Sequence, residues 1–567
     1  MERKMAIKVL STNITSPIGM TTEENYQAVK SGRSALTHYE GKWGLSEPFC
    51  ASLFTDAQNE AMRKNGYTRF ESVILHSIND ALSGTSIDIT SNRVVLIVST
   101  TKGNIEILDN PECDEEREYP ASAAQKIADA IGVTTMPIVV CNACISGAAA
   151  QVLALRLLDA DLYDYAIVTG ADCQSPFVVS GFQSFKAVSD EPCRPFDIER
   201  LGLNLGEAAA TIIFGKEDKP NVSCTSHEDW ALYRGCVRND AFHISSPSPK
   251  GDGAYATLNT ILADVAKQEL AMVSVHGTAT MYNDQMESKA IQRAELSDVP
   301  VSALKGYFGH TMGAAGLLET IISMRSIDDG FIPANRGFEE LGVSGNMDIT
   351  SESRTTNKNA FVKMISGFGG CNASLLLGKS LELPTTDSRS DIKHQYTIVR
   401  ISPEKVEIDG KVFHTECKGK AMLTEIYKSQ VGDYPKFYKM DSLARLAFVA
   451  SELLIKAVKD IDAEHTSGVL FNRTSSIVSD RQHHSEMMNL PSPSVFVYTL
   501  PNIMTGEIAI RNGLKGETSL YIIDKKEWSL MDSIAVTCFC EPDIHHIIYG
   551  WVDYKDDMNF EAEIKYI

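Results

Sequence analysis

Residues 137–158 read PIVVCNACISGAAAQVLALRLL. A β-branched segment runs into a sharp turn, and the turn runs into a small-residue apolar helix. "PIVVCN" predicts a strand, and "SGAAAQVLALRLLDADL" predicts a helix packed tightly in the interior. Cys144 sits at the turn. It is either a nucleophile or one more small residue filling a core. As a nucleophile it would gain from the unpaired N–H groups and positive dipole end of the first helical turn. Those lower a thiol pKa to roughly 3.5–7.5 and can form an oxyanion hole. Cys141 precedes it by three residues, so a Cys-x-x-Cys redox pair is a third reading.

Outward from this stretch, strands and helices alternate. "MAIKVLS" reads as a strand, "YTRFESVILHSINDALSG" as an amphipathic helix closing on glycine, and "NRVVLIVST" as a strand buried on both faces. "SAAQKIADAIG" is a helix and "DYAIVTGAD" a strand. A second pass begins near residue 270, with "AMVSVHGTAT", "MYNDQMESKAIQRAEL", "KGYFGHTMGAAGLLETIISMRSI" and "NKNAFVKMISGFGGCNASLLLGK". The alternation predicts an α/β chain with a layered, buried sheet.

The 567 residues, 43% hydrophobic and 22% charged, are long enough for two or more domains. The N-terminus lacks an apolar h-region and no apolar run reaches about 18 residues, so a cytoplasmic protein without a membrane span is expected. A net charge of −21 argues against nonspecific nucleic-acid binding. The twelve cysteines are scattered apart from Cys141/Cys144 and Cys538/Cys540, which predicts reduced thiols. No zinc spacing is present, and no metal is expected.

His276 in "VHGTATMYND" and His310 in "LKGYFGHTMGAAG" each end an apolar strand and precede small residues. One cysteine and two imidazoles suggest acyl transfer onto sulfur, with neutral imidazoles holding a thioester carbonyl through Nε2.

With these motifs assembled, the chain resembles the thiolase-fold β-ketoacyl synthases, the condensing enzymes of fatty acid and polyketide synthesis. "NACISGAAA", "VHGTATMYND", "SALKGYFGHTMGAAGLLE", "RPFDIERLGLNLGEAAA" and "GFGGCNAS" carry the resemblance across about residues 5–380. It implies a layered α-β-α-β-α fold with two pseudo-repeated halves. Cys144 would take the acyl chain from an acyl carrier protein. His276 and His310 would bind the malonyl thioester and promote decarboxylation, and the enolate would attack the Cys144 thioester. The oxyanion hole would be the N–H groups of Cys144 and Phe368, with Phe368 gating the acyl pocket. Lys305 would orient the site, paired with Glu319, and Thr278 and Thr280 would bind the phosphopantetheine arm. That arm belongs to the carrier protein, so no bound cofactor is implied.

The family commonly has threonine at Cys371 and serine at Ile145. The acidic segment between Lys102 and Pro120 corresponds to a region near the acyl pocket and the dimer contact. An acidic carrier protein needs a positive rim, for which Arg63, Lys64, Arg69, Lys126 and Arg200 are the candidates. A thiolase would carry a second catalytic cysteine, for which Cys371 is the one candidate. A noncatalytic chain-length-factor-type partner is the alternative from outside catalysis.

A polar stretch places a linker at 381–393 between a catalytic domain, 1–380, and a smaller α/β half-domain, 394–567. The half-domain echoes the opening of the first domain: "MDSLARLAFVASELLIKAV" follows "YTRFESVILHSINDALSG", and "HHIIYGWVD" follows "YDYAIVTGAD". Overlaying Asp553 on Asp172 puts Lys525 opposite Cys144. The half-domain is therefore expected to be a truncated, noncatalytic ketosynthase-like unit. It would supply a dimer-like face, in cis or to another copy in a homodimer.

Overall fold

In a computed structural model, which describes residues 6–110, 114–216, 229–383 and 396–567, one five-strand arrangement occurs three times. The first copy uses β1 (Ile7–Thr15), β2 (Val94–Ser99), β3 (Ile138–Val140), β4 (Tyr165–Asp172) and β5 (Ala208–Lys216). Its order is β3-β2-β4-β5-β1, parallel from β3 to β4 and antiparallel beyond. The second uses β6 (Trp230–Asn239), β7 (Leu270–Ser274), β8 (Val301–Ser302), β9 (Ala360–Ser366) and β10 (Cys371–Lys379), in the order β8-β7-β9-β10-β6. The third uses β11 (Thr397–Ser402), β12 (Thr466–Asn472), β13 (Thr518–Ile522), β14 (His546–Asp556) and β15 (Asn559–Tyr566), in the order β13-β12-β14-β15-β11.

Helices α1 (Arg69–Ser83) and α2 (Pro120–Ile131) cover the outer face of the first sheet. Thr68 and Glu71 start α1 with a capping box. On β2, Val94, Leu96 and Val98 face these helices, while Val95 and Ile97 face inward. That alternation explains a strand apolar at every position. Inward lies α3 (Ser146–Asp159), the helix of the opening stretch; α4 (Pro176–Ser184) follows it. In the second repeat, α5 (Met281–Arg293) lies outside and α6 (Ala315–Asp328) pairs with α3 at the centre. Both central helices are buried almost throughout. A Cβ added at Gly316 would lie 2.4 Å from the Ala148 nitrogen, so the crossing needs glycine there. The result is the layered α-β-α-β-α thiolase-like fold.

The third copy carries α7 (Ser442–Val458), α8 (Pro493–Tyr498), α9 (Ile503–Asn512) and α10 (Trp528–Thr537). Its β13 runs antiparallel to β3, with Val140 opposite Tyr521 and Val139 opposite Ile522. The first and third sheets thus join through their edge strands β3 and β13 about a pseudo-twofold axis. Ser99 pairs with Val140 and Gly170 as Phe471 pairs with Tyr521 and Trp551, so Val140 corresponds to Tyr521 and Cys144 stands opposite Lys525, as expected. The echo extends to hydrogen bonds. Asp172 accepts from Thr100 and Thr101, and Asp553 accepts from Arg473 and Thr474.

Charged groups line the contact between the copies. Arg156 on α3 pairs with Glu517 and Glu541, and Arg238 pairs with Glu541 and, at 2.8 Å, with Asp543. The acidic segment before α2 faces cations: Glu115 and Glu118 meet Arg481, and Glu116 meets Arg473 at 3.0 Å. Most of the expected linker, from residue 384 onward, lies outside the described residues. Among the described residues no helix is long and apolar enough to cross a membrane.

Candidate active site

Cys144 lies in the helical turn Ala143–Ile145 that leads into α3. Ala143 has φ +47°, a strained left-handed conformation for a non-glycine residue. Hydrogen bonds hold this elbow: the Ser146 hydroxyl accepts from the Asn142 N–H and donates to the Ala143 carbonyl. The third copy holds it as well, because the Asn142 amide bonds Ser519 at 3.0 Å and the Leu520 N–H at 2.7 Å. Burial pushes the Cys144 thiol up to about 12, with Lys305 opposing and Asp172 reinforcing the rise. The lowered thiol expected from the helix start is therefore corrected, because burial outweighs the dipole.

His276 follows β7. Its N–H and that of Gly277 donate to Glu287 on α5, both at 2.7 Å, and its carbonyl accepts from Lys305 Nζ at 2.6 Å. His310 is held by the segment before β5: its N–H donates to the Asn204 carbonyl, and its own carbonyl accepts from Gly206. The motif "LNLGEAAA" thus braces the second histidine. His310 Nδ1 accepts the Met312 N–H at 3.2 Å, which places the ring proton of the neutral imidazole on Nε2. That Nε2 is buried with no protein partner. The two rings meet edge to face at 4.9 Å. Burial, then Lys305, holds both imidazoles well below the usual histidine range. The reactive atoms of Cys144, His276 and His310 lie within 4.8 Å of one another.

Asp172 ties the groups together, accepting the Gly313 N–H at 2.7 Å beside the Thr100 and Thr101 bonds. Lys305 pairs with Glu319 at 2.7 Å. A Cβ on Gly367, next to Phe368, would lie 3.2 Å from the Cys144 nitrogen, so the two proposed oxyanion segments abut. The Phe368 ring packs on Phe182 and Phe185, and its carbonyl accepts from Asn502 at 2.9 Å. Cys371, the thiolase candidate, is buried, with its thiol directed at the Phe368 carbonyl at 3.2 Å. Thr278 and Thr280 share a 2.9 Å hydrogen bond at the start of α5.

The expected basic rim is largely absent. Arg200 is buried against the Asp197 and Gly342 carbonyls, and Arg69 is engaged by Glu106 and Glu207. Lys126 reaches the Gly66 carbonyl. Arg63 and Lys64 are exposed. Each cation that left the surface has a buried carboxylate or carbonyl waiting for it, a pairing that sequence does not display.

Sequence reasoning missed Asp172 as a brace, Asn502 and Lys363. Lys363 had a signal, a charge inside the apolar run "AFVKMIS". Cys144, His276 and His310 also form a donor set spaced to hold a soft metal, and Asp462, His465 and His545 form a second group. The first is assembled from three distant segments, and the second joins the neighbours Asp462 and His465 to the distant His545, so neither full set shows in sequence spacing.

Residues 4–219 match the N-terminal domain of β-ketoacyl synthases, and residues 231–339 match the C-terminal domain. A putative mitochondrial 3-oxoacyl-[acyl-carrier-protein] synthase of Schizosaccharomyces pombe is 30% identical over 277 residues, 45% of this chain and 64% of the relative. 3-Oxoacyl-[acyl-carrier-protein] synthase 2 of Vibrio harveyi is 25% identical over 415 residues, 67% of this chain and 100% of the relative. The solved PfaC keto synthase–chain length factor shares the fold over 99% of this chain and 78% of its own, with a TM-score of 0.77 and 14% identity. By its two matched domains and the site they build, the chain belongs to the β-ketoacyl synthase family of condensing acyltransferases.

Proposed function

We propose that residues 1–380 catalyse decarboxylative condensation on acyl carrier protein substrates, with Cys144 as the nucleophile. The Cys144 sulfur attacks the acyl thioester while the oxyanion faces the Cys144 and Phe368 N–H groups. The carrier thiol leaves with the proton. A malonyl thioester then binds with its carbonyl against His310 Nε2–H and His276. Carbon dioxide departs, and the enolate carbon attacks the acyl-Cys144 carbonyl, forming the new C–C bond and releasing the cysteine sulfur. The observation that carries this reading is one buried neutral imidazole, with an unpartnered Nε2 donor, beside Cys144 and a second imidazole.

Residues 396–567 serve in this reading as a noncatalytic, chain-length-factor-like half. The position opposite Cys144 is Lys525. Phe496 lies against Phe177 and Phe182 and directly over Gly181 of α4, with His483 beside it. These side chains close the acyl side of the site below Phe368. The pairing is intramolecular, because β13 occupies the β3 edge that a second copy would need. Carrier protein docks at the Thr278–Thr280 side, with Arg63 and Lys64 as the exposed cations of the original patch.

The test is intact-protein mass after mixing the chain with a panel of acyl-carrier thioesters, beside Cys144→Ala. A gain of one acyl group, absent in the variant and discharged by malonyl-carrier protein into a β-ketoacyl product, is expected. No acylation across a broad panel would favour a noncatalytic partner role.

A further inference from the structure

Strand β9, "AFVKMIS", is buried at every position, yet it carries Lys363. A buried ammonium is costly unless its charge and all its protons are met. Lys363 Nζ meets Glu319 at 2.5 Å, the Val275 carbonyl at 3.0 Å and the Ser274 carbonyl at 3.3 Å, which accounts for its three donors. The other oxygen of Glu319 takes Lys305, whose Nζ also reaches the His276 carbonyl. Two ammonium groups sharing one carboxylate therefore capture three consecutive carbonyls, Ser274, Val275 and His276, where β7 runs into the site. Lys305 alone would hold only the last of these.

We propose that Lys363 is a second positioning residue for His276, acting through Glu319 and the Ser274–His276 backbone to aim the imidazole at the Cys144 side of the site. The proposal rests on the condensing reading above. The groups facing His276 are Glu287 from α5, Lys305 and His310 from the segment before α6, Glu319 from α6, Cys144, and Lys363 from β9. Burial pushes the Glu287 carboxyl up, so the charges nearest the imidazole are the two lysines and their shared carboxylate. Both lysines press the His276 and His310 imidazoles toward the neutral form. Lys363 accordingly sets both where His276 points and how far its protonation is suppressed.

The experiment compares the full chain with K363M, K363Q and K363R in two half-reactions between pH 5 and 9. One is Cys144 acylation by an acyl-carrier thioester, read by mass. The other is decarboxylation of malonyl-carrier protein, read as carbon dioxide. Acylation does not use His276 in this reading, so it is expected to stay within about twofold in the neutral variants. Decarboxylation is expected to fall about tenfold or more, the scale of a modest misplacement of a catalytic group. Its acid limb is expected to move to higher pH, because loss of a cation raises the imidazole pKa. K363R, which keeps the charge, is expected to hold the acid limb in place. Parallel losses in both half-reactions with an unmoved acid limb would overturn the proposal, as would failure of both neutral variants to fold. Unaltered decarboxylation in K363M would overturn it alone. A wild-type chain that is acylated but decarboxylates nothing would overturn the condensing reading and this proposal with it.

Discussion

At Cys144 two effects oppose each other. The start of α3 favours a thiolate, and burial favours the thiol; with the thiol pushed up to about 12, burial wins. Alkylation of Cys144 by iodoacetamide is therefore expected to accelerate about tenfold per pH unit from pH 7 to 9.5. A plateau below pH 8 would reveal a lowered thiol. The histidines run the other way. Each gains a proton as pH falls through a pKa held well below 6.5, and on His310 that proton competes with the Met312 N–H for Nδ1. Decarboxylation of malonyl-carrier protein is expected to be level from pH 7.5 through 6.5 and to decline only at lower pH. Half-loss at pH 6.5 would contradict neutral, buried imidazoles.

At the scale of elements, the central α3–α6 crossing places Cys144 and His310 side by side. Cys144 sits in the turn that leads into α3 at Ser146, and His310 stands one short turn, Met312–Ala314, before α6 at Ala315, so the approach of the two helices sets the distance between the two groups. Gly316→Val drives a branched side chain into the Ala148 backbone and is expected to cost about 1–3 kcal/mol in denaturant unfolding, with loss of activity. On the acyl side, α8 contributes Phe496 to a cluster with Phe177, Phe182, Phe185 and His483. Phe496→Ala leaves a void there, at about 3–5 kcal/mol. Its product profile, read by mass spectrometry, is expected to shift to longer acyl chains. An unchanged profile in a folded variant would detach α8 from chain-length control.

For the whole molecule, the decisive contact is the β3–β13 pair and the ion pairs around it. Arg238 and Arg156 are nearly fully buried and both meet Glu541, so Arg238→Ala leaves buried carboxylate charge undercompensated. The expected loss is about 3–5 kcal/mol, read by thermal or denaturant unfolding of the full chain. Because the β3 edge is paired within the chain, light scattering is expected to find one chain per particle. Removing residues 396–567 would bare that edge and the faces of α4 and β3, and self-association of the remainder is expected.

Much of this was legible in order and pattern. The buried strand "NRVVLIVST", the small-residue helices after Cys144 and His310, and the echo of the first half in the last 170 or so residues follow from periodicity and composition, which local sequence carries. Cys144, His276, His310, Lys305 and Glu319 were readable because each stands in a motif whose neighbours must be small or turn-forming. Tertiary structure alone decided the rest. It made Arg200 and Arg69 internal braces and not a docking rim. It set burial against the helix dipole at Cys144, and it gave Lys363 a carboxylate and two carbonyls from elements far apart in the chain. The physical reason is common to all three. Periodicity and turn chemistry act over a few residues, whereas desolvation and ion pairing depend on which distant groups share a buried space.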